Sequence, residues 1–146
     1  MKVIKIFTHP FTLIISFFAI MISGEHLGGF YLLYILLALP YGGVHSLLAL
    51  SGVLILLVNP YNYRRVNLYI LKSIINIVGL ALLLLSLFFF FHNDMQHYNY
   101  GTFYQTVPQI TLIVFAVLAL IFLIDNIIST SKNLSNKRLD NKIVKL

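Results

Sequence analysis

Long apolar runs, separated by short polar segments, make up most of this chain. Four of them come close to or exceed the roughly 20 residues that a helix needs to cross a bilayer. They cover residues 6–23, 30–58, 73–91 and 107–125. Lipid accepts only helices or closed barrels, and barrel strands would alternate apolar and polar side chains, which these runs do not. The pattern predicts an all-α fold, an integral membrane four-helix bundle.

The second run is too long for a straight crossing of the membrane. As one helix, residues 30–58 would extend for about 43 Å, whereas the hydrocarbon core is about 30 Å thick. Tilt could absorb the excess, and so could a kink where Pro40 is followed by Gly42 and Gly43. We therefore expect a long second helix that is kinked near residues 40–43.

The positions of the basic residues predict the orientation. All of them lie before the first run, between the second and third, or after the fourth: Lys2, Lys5, Arg64, Arg65, Lys72, Lys132, Lys137, Arg138, Lys142 and Lys145. Basic residues gather on the cytoplasmic side of a membrane, so both termini are predicted to be cytoplasmic, with the bacterial inner membrane as the expected location. Anionic lipid head groups are the expected partners of five of these residues. They are Arg64, Arg65, Lys72, Lys137 and Arg138.

Two segments leave alternatives open. Lys2 and Lys5 before an apolar run also resemble a secretory signal peptide, but the run is longer than usual and Ile22 interrupts the small-residue cleavage pattern. We expect the first helix to be retained in a membrane domain of residues 1–128. The basic cytoplasmic tail, residues 129–146, is either a solvated anchor or an amphipathic stretch that lies on anionic lipid or docks on a partner.

Composition supports a membrane location and excludes several chemistries. The chain is 60% hydrophobic and 10% charged, whereas soluble domains average about 45–50% apolar residues and about 25% charged residues. The absence of Cys excludes disulfides, thiolate metal sites and cysteine nucleophiles. The net charge of +6 does not indicate nucleic-acid binding, because the basic residues flank the apolar runs instead of forming a patch.

His45 is the most unusual residue within the runs, because an ionisable group is costly in lipid and rarely faces it. On a continuous helix it would share one face with small residues, which let a second helix approach closely. This predicted packing face consists of Ala38, Gly42, His45, Ala49 and Gly52. Ser16, at a similar depth, is the expected hydrogen-bond partner of His45 in a candidate ion or proton site. The alternative is a packing histidine beside the kink.

Two further polar groups are candidates for interactions between helices or with a metal ion. Asn76 and Asp125 lie at similar depth near the cytoplasmic ends of their helices, where capping or interhelical hydrogen bonding is expected and a contact between the two is one candidate. On the outer side, imidazole and carboxylate groups could bind Zn²⁺ or a similar ion, or respond to pH. This candidate metal cluster consists of Glu25, His26, His92, Asp94 and His97. Its spacing matches no recognised metal motif, so a hydrated loop with scattered histidines is the alternative.

The motifs of familiar small membrane proteins are missing. Small multidrug exporters carry a carboxylate in the first helix, and haem-binding bundles supply two axial histidines at matching depths, whereas this sequence has neither. No nucleophile with a neighbouring base stands out, and no cofactor is expected. We therefore expect a non-enzymatic accessory or structural subunit that packs against other membrane subunits or its own copies. The alternative is an ion- or metal-responsive transporter that uses His45 and the outer cluster, and an intramembrane enzyme would need a partner chain to supply its missing groups.

Overall fold

The computed structural model describes residues 6–24, 28–62, 69–93 and 97–143, with the backbone alone at 59–62, 69, 133–134 and 136–143. Within these ranges the chain is mostly helical. The helices are α1 (Pro10–Phe18), α2 (Tyr31–Ala38), α3 (Val44–Asn62), α4 (Tyr69–His92) and α5 (Thr106–Ile143). Two short strands, β1 (Met21–Ser23) and β2 (Gly28–Phe30), join α1 to α2. Two 3₁₀ turns, Leu39–Tyr41 and Gly101–Phe103, precede α3 and α5.

The first predicted helix, residues 6–23, is interrupted at residues 8–9, after helical residues 6–7, and ends five residues early. Pro10 is the first residue of α1, and His9 before it has an extended backbone because a proline ring disfavours helical geometry in the preceding residue. The helix ends at Phe18, and residues 21–23 instead form an antiparallel pair with β2, in which Met21 lies opposite Phe30. With nine residues, α1 is about 13 Å long, less than half the thickness of the hydrocarbon core.

The second predicted helix, residues 30–58, is two helices. The kink is confirmed at the expected place, but α2 and α3 are bent by 114°, far more than a proline kink within one helix requires. Pro40 lies in the 3₁₀ turn, and Gly42 closes that turn in the left-handed conformation at φ +68°, which glycine adopts without steric cost. The chain then re-enters a helix at Val44.

The third and fourth runs form helices that extend beyond their predicted ends. α4 contains the predicted residues 73–91, and α5 continues without a break past residue 125 through most of the predicted tail. The continuity is consistent with the sequence, because residues 129–143 contain neither Gly nor Pro. Both helices are long and apolar enough to cross a membrane, over Ile70–His92 and Thr106–Lys132, and the bent pair of α2 and α3 is a third candidate.

The antiparallel pair of α3 and α4 forms the centre of the fold, and α1 and α5 pack beside it. Aliphatic and aromatic side chains of α1, α3, α4 and α5 form one buried core. Ile20, Ile22 and two residues of α2 also belong to it. β1 attaches to the segment before α5 and to the start of α5 itself. The Ser23 amide donates to the Thr102 hydroxyl at 2.9 Å, and the Met21 amide donates to the Thr111 hydroxyl at 3.0 Å. The hairpin and the start of α5 therefore lie at the same end of the bundle.

Candidate functional site

The predicted small-residue face on the second run is divided by the bend. Ala49 and Gly52 are buried within α3, whereas Gly42 is exposed and Ala38 lies before the break. A Cβ added to Gly42 would meet nothing within 4 Å, so this glycine serves the turn and not a helix contact. The prediction that all five residues share one face is therefore wrong, because a 114° bend removes the continuous helix on which it depended.

The lower part of that face packs against α4 of the same chain. A Cβ on Gly52 would lie 2.9 Å from Leu83 Cδ2 and 3.0 Å from the Gly79 carbonyl oxygen. A Cβ on Gly79 would lie 2.7 Å from Leu56 Cγ. The two helices thus cross at a pair of glycines, where the absence of side chains lets their backbones approach. The sequence indicated Gly52, but not its partner Gly79.

His45 lies in the first turn of α3 and is half-buried among aromatic rings. Its ring centroid lies 5.3 Å from that of Phe90, edge to face, and 6.4 Å from that of Tyr31. The imidazole hydrogen-bonds the backbone of Tyr34, while its buried Nε2 has no hydrogen-bond partner among the described residues. The predicted Ser16 partner is not used in this way, since the Ser16 hydroxyl donates to the Leu13 carbonyl at 2.8 Å within its own helix.

A directed chain of hydrogen bonds joins α2, α4 and α3 beside this histidine. The Ser86 hydroxyl donates to the backbone carbonyl of His45 at 2.7 Å. Because Ser86 has only one hydroxyl proton, the Tyr31 hydroxyl, 2.8 Å away, must be the donor in the bond between these two groups. Tyr31 and Ser86 are both fully buried. The chain therefore fixes the broken helix against α4.

Removing Ser86 should destabilise the protein more than removing the Tyr31 hydroxyl. In Tyr31→Phe, Ser86 still donates to His45, and we expect a loss of about 0.6 kcal/mol and no more than about 1.7 kcal/mol, as for other hydrogen bonds between membrane helices. In Ser86→Ala, the buried Tyr31 hydroxyl loses its partner, which costs about 1–3 kcal/mol. Unfolding by denaturing detergent in mixed micelles measures both losses. The reverse order would show that the hydroxyl chain does not run as described.

A second polar contact joins α4 to α5 near the other end of the bundle. Asn76, which is buried, donates from Nδ2 to Oδ1 of Asn126 at 2.6 Å, and Asn126 donates to the Phe122 carbonyl at 2.8 Å. The sequence predicted an interhelical bond from Asn76 but assigned it to Asp125. One residue along a helix turns the side chain by about 100°, which is enough to select the neighbouring position. Lys72, one turn before Asn76, is exposed.

The candidate outer metal cluster is described only in part. Of this cluster, Glu25, His26 and Asp94 lie outside the described residues. Among the predicted lipid contacts, Arg64 and Arg65 and the side chains of Lys137 and Arg138 also lie outside them. The His92 ring stacks on Phe88 at 5.2 Å, and the His97 ring packs against Tyr100 at 4.2 Å. Among the described residues, no three His, Cys, Asp or Glu side chains are grouped to hold a metal ion.

Two buried polar residues near the start of α3 and before α5 were not predicted from the sequence. Ser46 is fully buried, and its hydroxyl has no partner among the described residues. Thr102 is fully buried and anchors the hairpin through Ser23. A serine next to a histidine after Gly42-Gly43 was visible in the sequence, whereas the pairing of residues 23 and 102 depends on contacts between distant segments.

Comparisons of this chain with protein-family models, with curated proteins and with solved structures found no match.

Proposed function

We propose that this chain is a non-enzymatic membrane protein that acts as an accessory or structural subunit of a larger membrane assembly through helix packing. The observation that carries the proposal is the use of the polar groups inside the bundle. Asn76 with Asn126, and Tyr31 with Ser86, connect one helix to another. Side chains used in this way stabilise a fixed arrangement of helices, which a packing subunit requires.

The proposal includes an orientation with both termini in the cytoplasm of a bacterial cell. The Met21 amide, just after α1, donates to the Thr111 hydroxyl, and the Phe17 ring within α1 contacts that of Phe115, so α1 and α5 run antiparallel. Because the two are antiparallel, the chain before α1 lies toward the level of Asn126 on α5. Asn126 in turn bonds Asn76, one turn from Lys72. These pairings support basic segments gathered at one end of the bundle, which would face anionic lipid head groups.

Purification of the full chain from native membranes in a mild detergent tests the proposed function. We expect the tagged protein to elute as an assembly with a fixed stoichiometry, containing other membrane subunits, further copies of the chain, or both. The control for nonspecific association is an unrelated four-span membrane protein that carries the same tag and is extracted from the same membranes in the same detergent. A monodisperse monomer with no co-purifying subunit would contradict the proposal.

A second candidate function is an ion- or metal-responsive transporter, and one observation favours it. The buried Nε2 of His45, which has no hydrogen-bond partner within the described part of the chain, lies just after the break between α2 and α3. In secondary transporters, interrupted helices of this kind often form the substrate or ion site. If His45 serves transport, His45→Gln should abolish ion flux in proteoliposomes while leaving the fold intact, whereas Tyr41→Phe, at the exposed turn, should leave flux unchanged. Equal flux in both variants would remove this candidate.

A further inference from the structure

Valine and isoleucine are segregated from the other apolar residues along the membrane segment of α5. All nine Val and Ile residues between positions 107 and 128 are exposed, none less than 37%. Phe115, Ala119 and Phe122 are buried against the rest of the chain, and three of the four leucines are half-buried. Exposure to lipid alone requires only an apolar side chain, so it does not explain why this face excludes Phe and almost excludes Leu.

Seven of these nine residues follow a heptad repeat. Spacings of three and four residues alternate through Val107, Ile110, Val114, Val117, Ile121, Ile124 and Ile128. The next two positions of the repeat are Ser131 and Ser135, both exposed. This seven-residue spacing is the pattern by which two or more helices pack knobs into holes in a left-handed supercoil. We call these seven residues the α5 seam.

β-branched residues suit a packed seam for an entropic reason. In a helix, Val and Ile hold essentially one χ1 rotamer, so they lose little side-chain freedom when a second helix covers them. The seam has such residues at both core positions of the heptad, which favours trimers or tetramers over dimers. α5 also leaves more of its apolar surface uncovered than α4 does. Only 22% of its apolar window is buried within the chain, against 39% for α4.

We propose that the α5 seam packs against the same seam of further copies of this chain, in a parallel trimer or tetramer. Copies inserted in one membrane share an orientation, so their heptads align without a shift. The proposal rests on the proposed function, a protein that works by helix packing, and names the partner as the chain itself. It moves the interface from the small-residue face, which α4 covers at Gly52, to the exposed face of α5.

Photo-cross-linking from single cysteines tests this arrangement in the full chain. The chain contains no native Cys, so Val117→Cys and, separately, Val114→Cys give unique sites for a benzophenone maleimide. Leu85→Cys is the matched control, because Leu85 is 44% exposed on α4 and Val117 is 49% exposed. The antiparallel pairing at Asn76 and Asn126 brings residues 85 and 117 to the same depth. All variants are irradiated in native membranes.

We expect both seam variants to give a product of twice the 16.7 kDa chain mass, several-fold more abundant than from Leu85→Cys. Equal yields of that product from the seam and the control, or no product from either seam position, would overturn the inference. A seam-specific product of another mass would also overturn it, but would support the proposed function by identifying a different membrane subunit. The two proposals can therefore fail separately.

Discussion

Gly79→Leu should disrupt the α3 and α4 pair and destabilise the protein by about 3 kcal/mol or more. The first added atom alone would lie 2.7 Å from Leu56 Cγ and 2.9 Å from Leu56 Cδ2. Leu56 is fully buried, so it cannot move away without displacing its own neighbours. Because this pair forms the centre of the bundle, we expect a lower midpoint of unfolding by denaturing detergent and loss of helical signal in circular dichroism.

The control for this change lies two residues along the same helix. Ala81 is exposed, so Ala81→Leu adds volume at the surface instead of inside the bundle and should change the free energy of unfolding by no more than about 0.5 kcal/mol. A double-mutant cycle identifies the cause. Leu56→Ala removes the atoms that Gly79→Ala would meet, so the loss in the double variant should be smaller than the sum of the two single losses. Additive losses would show that the glycine crossing is not the origin of the effect.

The sequence was sufficient for the two long apolar helices because their formation is a local property. In α4 and α5, runs of apolar residues without an interior Gly-Pro break satisfy every backbone group internally, which lipid requires. The position of the break in the second run was also readable, since Pro40, Gly42 and Gly43 occur together. Its angle was not readable, because the direction of α2 depends on Tyr31 reaching Ser86, a residue 55 positions away.

The rest of the candidate site depends on pairing between distant segments. Met21 and Ile22 are as apolar as the helix before them, but they form a strand by pairing with β2, and the Met21 amide also bonds Thr111 near the start of α5. The spacing of small residues correctly indicated a close approach at Gly52. It could not show that α4 of the same chain, and not another subunit, makes that approach. Similarly, depth alone placed Asn76 opposite Asp125, and only the rotation of α5 makes the neighbouring Asn126 its partner.

Tyr31→Ala should be the other severe change, because this one side chain holds α2 against both α1 and α4. Tyr31 is fully buried, and its ring meets Phe17 edge to face at 5.2 Å and Phe90 at 5.1 Å. Truncation leaves a cavity between these rings and removes the donor to Ser86. A loss of about 3–5 kcal/mol is expected from a buried aromatic residue of this size.

The outcome for Tyr31 separates packing from hydrogen bonding. Tyr31→Phe retains the ring and should retain most of the stability, whereas Tyr41→Ala, at a residue 91% exposed, should cost no more than about 0.5 kcal/mol. If Tyr31→Phe were as damaging as Tyr31→Ala, the hydroxyl chain to His45 would determine the fold of this end of the bundle. If Tyr31→Ala were as mild as Tyr41→Ala, α2 would not depend on the aromatic core at all. The expected order, with the ring outweighing the hydroxyl, follows because the area that the ring buries exceeds the net value of one hydrogen bond within a membrane.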